Sequence, residues 1–136
     1  MAFSNTHFSI SIHVLTTLAS LGNPTISSTD LAANAGTNAA FLRHVVRSLK
    51  AAGLINSKGG NGGGIQLAKL PDQISVGDVY RAIEGTAQIA VHTCAPNSAC
   101  SATSNFPQTM SEISRRVDSG ITSELDQLTI ADLVDA

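Results

Sequence analysis

Tryptophan is absent from this 136-residue chain and tyrosine occurs once, so aromatic residues make up only 4% of it. The 43% that is hydrophobic is instead largely aliphatic and alanine, and alanine is a strong helix former that lets backbones approach closely. Cysteine is scarce: two residues in a chain of this size do not make the disulfide framework of a small secreted domain. Charge is scarce too, at 13%, which excludes a strongly acidic or basic disordered tail. No run of about 18 uncharged apolar residues occurs, so no membrane-spanning helix is expected. No Lys or Arg precedes the first apolar run, as the positive region of a secretory signal would require. The expectation is a soluble, cytoplasmic chain of one domain, or one domain with a short appendage, that buries roughly two-thirds of its unfolded surface.

A further absence is local. Asp and Glu are missing from Leu31 to Pro71. Residues 1–71 hold five basic residues against one acid, a balance of +4, whereas residues 72–136 hold three against nine, a balance of −6. The overall charge of −2 therefore hides a basic half suited to a polyanion and an acidic half with another task.

Periodicity places the elements. Phe8, Ile12, Leu15 and Ala19 follow helical spacing from about Ser9 to Leu21, closed by Gly22 and the Asn23-Pro24 break. Ser27 or Ser28 caps a short helix, about Thr29–Ala35, ended by Gly36. Thr37 or Asn38 caps the next, which runs through Ala52 to Gly53 with an apolar stripe of Leu42, Val45, Val46 and Leu49. Arg43, Arg47 and Lys50 fall on another face of it. Two helices joined by a tight glycine-containing turn, the second basic outside, make a helix-turn-helix. Leu54–Asn56 and Gly64–Leu67 then read as strands around the glycine-rich segment 57–64, which makes a β-hairpin wing. A nucleotide-phosphate loop is excluded, since no Gly-Lys-Ser/Thr closes the run. A helix is expected from about Ser75 to Glu84, a loop over 86–106, and a long helix from Pro107 with apolar positions Met110, Ile113, Val117, Ile121, Leu125 and Leu128. That stripe is close to a coiled-coil seam. Thr129 caps a last helix, Ile130 to Val134. The fold class is thus mainly α with a small β-hairpin wing (α+β): a winged helix-turn-helix over 1–85, a cysteine loop over 86–106, and a dimerisation helix with a C-terminal helix over 107–136.

Several stretches carry a family likeness: Phe41-Leu42, Leu49 to Ser57, Gly60 to Ala68, Ile74 to Gly85, and Leu128 to Val134. In this order they span nearly the whole chain, which resembles the Rrf2 family of winged-helix transcription regulators. The resemblance implies a homodimer built on the long helix, two winged helices on a partly palindromic duplex, and usually repression. It also implies a loop of three cysteines, each separated by five residues, which hold an iron–sulfur cluster in some branches. Cys94 and Cys100 match the first two positions, but the third is Phe106, so no cofactor is expected. The wing departs as well, with Gly59 where many members place an Arg, and Lys58 one residue earlier.

The candidate DNA-contacting residues are Asn38, Ala40, Arg43, His44, Arg47, Lys50, Lys58 and Asn61. Arg43 is read as a base contact, Arg47 and Lys50 as phosphate contacts, while Asn38 has the alternative of capping its helix. Cys94 and Cys100 are read as sensor thiols for oxidants or electrophiles. Inert burial, or an incomplete metal set with His92, are the alternatives. Met110, Ile113, Val117 and Ile121 are the dimerisation candidates, and His7 and His13 are ordinary helix-face residues. No nucleophile elbow, metalloprotease helix or paired-carboxylate pattern occurs, so no enzyme is expected. The rival functions are a winged-helix protein-interaction module with little DNA affinity and a metal-dependent regulator.

Overall fold

The computed structural model describes residues 6–84 and 106–135. Its elements run α1 (His7–Ser20), α2 (Ser28–Ala35), α3 (Ala39–Ala51), β1 (Ile55–Lys58), β2 (Gly64–Leu67), a 3-10 turn (Pro71–Gln73), α4 (Val76–Glu84), α5 (Phe106–Leu125) and α6 (Ile130–Asp135). It is the winged helix-turn-helix followed by a long helix that the pattern called for. Among the described residues, no helix is long and apolar enough to cross a membrane.

The caps explain where helices begin. The Ser27 hydroxyl accepts from the Asp30 N–H at 3.1 Å and starts α2. The Asn38 side chain accepts from the Phe41 N–H at 2.8 Å and starts α3. Ser75 with Asp78, and Thr129 with Asp132, form reciprocal side-chain-to-backbone caps of 2.9 to 3.1 Å at the heads of α4 and α6.

One core gathers the apolar faces. Val14, Leu15 and Leu18 of α1, Leu42, Val45 and Leu49 of α3, Val79 of α4, Ile65 and Leu67 of the wing, and Ile130 of α6 are all buried in it. α1 packs on α4 and α6, α2 on α3, and α5 lies along α4. Where α5 crosses α4, Tyr80 is fully buried, and burial pushes its hydroxyl pKa up, with Asp118 and Glu84 adding to the rise. β1 and β2 pair antiparallel with Lys58 opposite Gly64, so the hairpin tip is residues 59–63 and the first strand runs two residues further than the alternation suggested. β2 gains a second neighbour: Ile26 and Ile65 exchange backbone hydrogen bonds of 2.7 and 3.0 Å. A side chain on Gly64 would stand 2.5 Å from the Ile26 carbonyl, and its φ of +151° is one that L residues rarely adopt.

Two boundaries and one stripe residue need correction. Phe106 is the first residue of α5 rather than the end of a loop, the helix stops at Leu125, and Leu128 is not on its stripe. Leu128 lies in the turn between α5 and α6, where its carbonyl accepts from the Val76 N–H at 2.8 Å while Ile130 N–H donates to the Ile74 carbonyl at 2.9 Å. This short antiparallel pairing around Ser75 and Thr129 draws the chain out of the helix. Residues 85–105, with both cysteines and most of the expected loop, lie outside the described residues.

Candidate nucleic-acid interface

α3 divides cleanly. Leu42, Val45 and Leu49 point into the core, leaving Ala40, Arg43, His44, Arg47 and Lys50 exposed on the outer surface. No carboxylate lies on α3 or either wing strand, so this surface is cationic without internal neutralisation. The helix presents a row of donors, and Arg side chains can bond guanine edges or phosphate oxygens in two-pronged fashion.

The wing stands beside this face. A groove of about 250 Å³ runs between α3, the head of α2 and the hairpin, lined by Arg43, Val46, Ser28, Ser57 and Lys58. Arg43 and Lys58, far apart in sequence, thus border one concavity. The Lys50 ammonium donates to the Ser57 hydroxyl at 2.8 Å and ties the end of α3 to β1. Asn61 is exposed at the hairpin tip. The side chain of Asn38 is occupied by its cap, the alternative the sequence had offered for it.

One neighbour of this surface had no signal in the pattern. The His7 ring, at the head of α1, stacks on Phe41 of α3 with centroids 4.6 Å apart and planes within 5°. It also meets the His44 ring at 5.1 Å, tilted by 53°. His13 is separate: its Nε2 and the Asn34 amide oxygen are 3.0 Å apart, tying α1 to α2.

On α5, Ile113 and Val117 are 44% and 42% exposed, while Met110 and Ile121 are half-buried; no side chain of this helix is fully buried. Among the described residues, no three His, Cys, Asp or Glu side chains gather where a metal could bind.

Residues 4–136 match the Rrf2 family, described as an iron-dependent transcriptional regulator. This chain belongs to the Rrf2 family. It is 30% identical over 131 residues to YwnA of Bacillus subtilis, which carries an HTH-type transcriptional regulator description; the match covers 96% of both chains. It is 40% identical over 80 residues to YffB of Lactococcus lactis, of the same description, and there the match covers 58% of this chain and about half, 51%, of the relative. Among solved structures, the oxidized form of Staphylococcus aureus CymR is similar, with a TM-score of 0.69 and 26% identity, covering 97% of this chain and 95% of that one. The family and these relatives are regulators of transcription rather than enzymes.

The iron in the family's description meets a donor set that does not fit it here. Only two cysteines occur in the chain, and the position matching the third is Phe106, a hydrocarbon ring on the first turn of α5.

Proposed function

We propose that this chain is a homodimeric, sequence-specific duplex-DNA-binding repressor. Residues 1–85 would form the DNA-binding part, 86–106 the sensing loop and 107–136 the dimerisation part. The observation that carries this reading is the exposed, carboxylate-free face of α3, with Arg43, His44 and Arg47 beside a wing bearing Lys58. In it, the head of α3 enters a major groove, Arg43 bonds a base edge, Arg47 and Lys58 neutralise phosphates, and Asn61 rides over the neighbouring backbone. Lys50 braces helix to wing and reaches a phosphate from that brace. Ala40, small and exposed, lets the helix approach the bases, and Asn38 fixes where the helix starts.

Two such heads need a scaffold. The exposed stripe of Ile113 and Val117, continued by Met110 and Ile121, supports α5 as that scaffold, because an apolar stripe on a long helix is covered by a second copy. Repression then follows from occupancy of the operator. Since the donor set does not fit a cluster, the signal is read as chemistry of Cys94 and Cys100 themselves, and the solved oxidized form of S. aureus CymR supports that reading. Oxidation of the two thiols to a disulfide, with reduction of a peroxide-class oxidant, would change the spacing of the two heads and release DNA.

The test is binding to a duplex selected from a random library by the parent chain. Arg43→Ala should cost about 1–3 kcal/mol and relax specificity at one base position. Arg47→Ala should weaken all sequences alike and lower the salt slope by about 0.9 per head. Affinity that ignores salt would instead point to the protein-interaction reading. Mild peroxide should release the parent from DNA and leave Cys94→Ser and Cys100→Ser bound; equal responses in all three would reduce both cysteines to structural residues.

A further inference from the structure

His7 belongs to α1, outside the helix-turn-helix, yet its ring lies flat on Phe41 and 5.1 Å from His44. Phe41 follows the cap of α3 by three residues, and its own N–H is the one Asn38 holds. The stack therefore bears on the turn of α3 whose exposed side chains include Ala40, Arg43 and His44. Imidazole is the one side chain whose ordinary pKa, about 6.5, lies within physiological range.

We propose that His7, through its stack on Phe41 and its contact with His44, is a positioning residue of the DNA-reading surface, and that the two imidazoles take up a proton as that surface engages duplex DNA. This rests on the DNA-binding reading above. The physical argument has three parts. A phosphate backbone set against exposed His44 favours the charged imidazolium. The face of Phe41 accepts a cationic ring as readily as a neutral one. The two histidine rings are too close for both to charge freely, so one proton is taken up per head.

On α3 the charged neighbours are Arg43, Arg47 and Lys50, all cationic, and β1 adds Lys58. They leave phosphate as the counter-charge that duplex DNA would bring to this face. Of the elements packed against α1 or α3, α2 carries Asp30, α4 carries Asp78, Tyr80, Arg81 and Glu84, α6 carries Asp132 and Asp135, and β2 carries no charge. Asp78 pairs with Arg81, and Asp132 is engaged in its helix cap.

A proton bound more tightly in the complex than in free protein adds affinity below the free pKa and loses it as pH rises through the bound pKa. A one-unit rise is worth about tenfold for each bound head between about pH 8 and about pH 5.5. The experiment measures binding of the parent to its selected duplex across that range at fixed ionic strength. His44→Gln and His7→Phe, which keeps a flat ring on Phe41, should each flatten the profile, and His13→Gln should leave it as in the parent. Ring-proton NMR of the intact chain, free and duplex-bound, should show the His44 titration moving to higher pH on binding.

A parent slope retained in the His7→Phe/His44→Gln double variant overturns the proposal, as does a flat profile from His44→Gln alone with His7→Phe unchanged. A parent that binds DNA with no pH dependence also overturns it, with DNA binding intact. A parent that binds no duplex at any pH overturns the DNA-binding reading itself, and this proposal with it.

Discussion

Asn23 shows how much one side chain can do. Its φ of 59° lies in the left-handed region, which asparagine tolerates better than other residues with a Cβ. From there its amide accepts from the Leu67 N–H at 2.7 Å and donates to the Leu67 carbonyl at 3.3 Å, imitating a strand neighbour. Replacing it with Ala removes both bonds, leaves Leu67 unpaired on that side and keeps the strained φ. Asn23→Ala should lower stability by roughly 1–3 kcal/mol, seen as a lower denaturant midpoint with an unchanged m-value. Asn38→Ala loses only a helix cap and should cost about 1 kcal/mol in the same measurement. A larger drop in DNA affinity than in stability for Asn38→Ala would show that its amide also reaches the DNA.

Among the elements, the junction of α4 with the α5–α6 turn couples α5 to the winged helix-turn-helix. Asp126, just past α5, accepts from Arg81 of α4 at 2.5 Å and from the Ser75 hydroxyl at 3.4 Å. Its carboxylate sits directly over Gly77, where an added Cβ would collide with the oxygen. Gly77→Ala must push the Asp126 side chain off its partners, and should lower the thermal midpoint only slightly, because the exposed pair is screened and alanine is the better helix former. The Arg81 hydrogen bond holds the Asp126 carboxyl below its ordinary range, with the Arg81 charge and Ser75 assisting. A depressed native pKa means that this contribution is complete above the unfolded pKa, near 3.8, and is lost as pH falls through the native one. The stability gap between the parent and Asp126→Asn should therefore be constant near neutrality and close below about pH 4. Arg81 and Asp126 are both partly exposed, 45% and 42%, so water screens the pair and the gap at neutrality should be small. On α5 itself, Glu112 is bonded by Arg115 and Arg116, and Arg115 first of all lowers its pKa to about 2. NMR titration should find it still ionised below the ordinary glutamate range.

For the whole molecule, the question is what covers α5. A 20-residue helix without a single fully buried side chain, carrying Ile113 and Val117 more than two-fifths exposed, packs one face on α4 and leaves another to water or a partner. Val117→Glu with Ile121→Glu should convert a dimer into a monomer in sedimentation at micromolar concentration, with helicity retained. A parent that already sediments as a monomer would remove the dimer from the proposed function and leave each head to bind DNA alone.

By itself the sequence determined the helices, the hairpin, the order of elements and the separation of α3 into apolar and cationic faces, because these depend on spacings of a few residues and on local caps. The wing was legible from glycine between two alternating runs, and Gly64–Leu67 is a strand as the alternation indicated. What only the tertiary structure decided lies between residues distant in the chain. Asn23 on Leu67, Ile26 on Ile65, Arg81 on Asp126 and His7 on Phe41 leave no periodic trace, since each is one polar or aromatic side chain meeting one partner after the core has closed. The same holds for the end of α5: helical spacing continued to Leu128, but backbone pairing with the head of α4 drew that residue into a turn. Periodicity records which face is buried, and only packing decides what it is buried against.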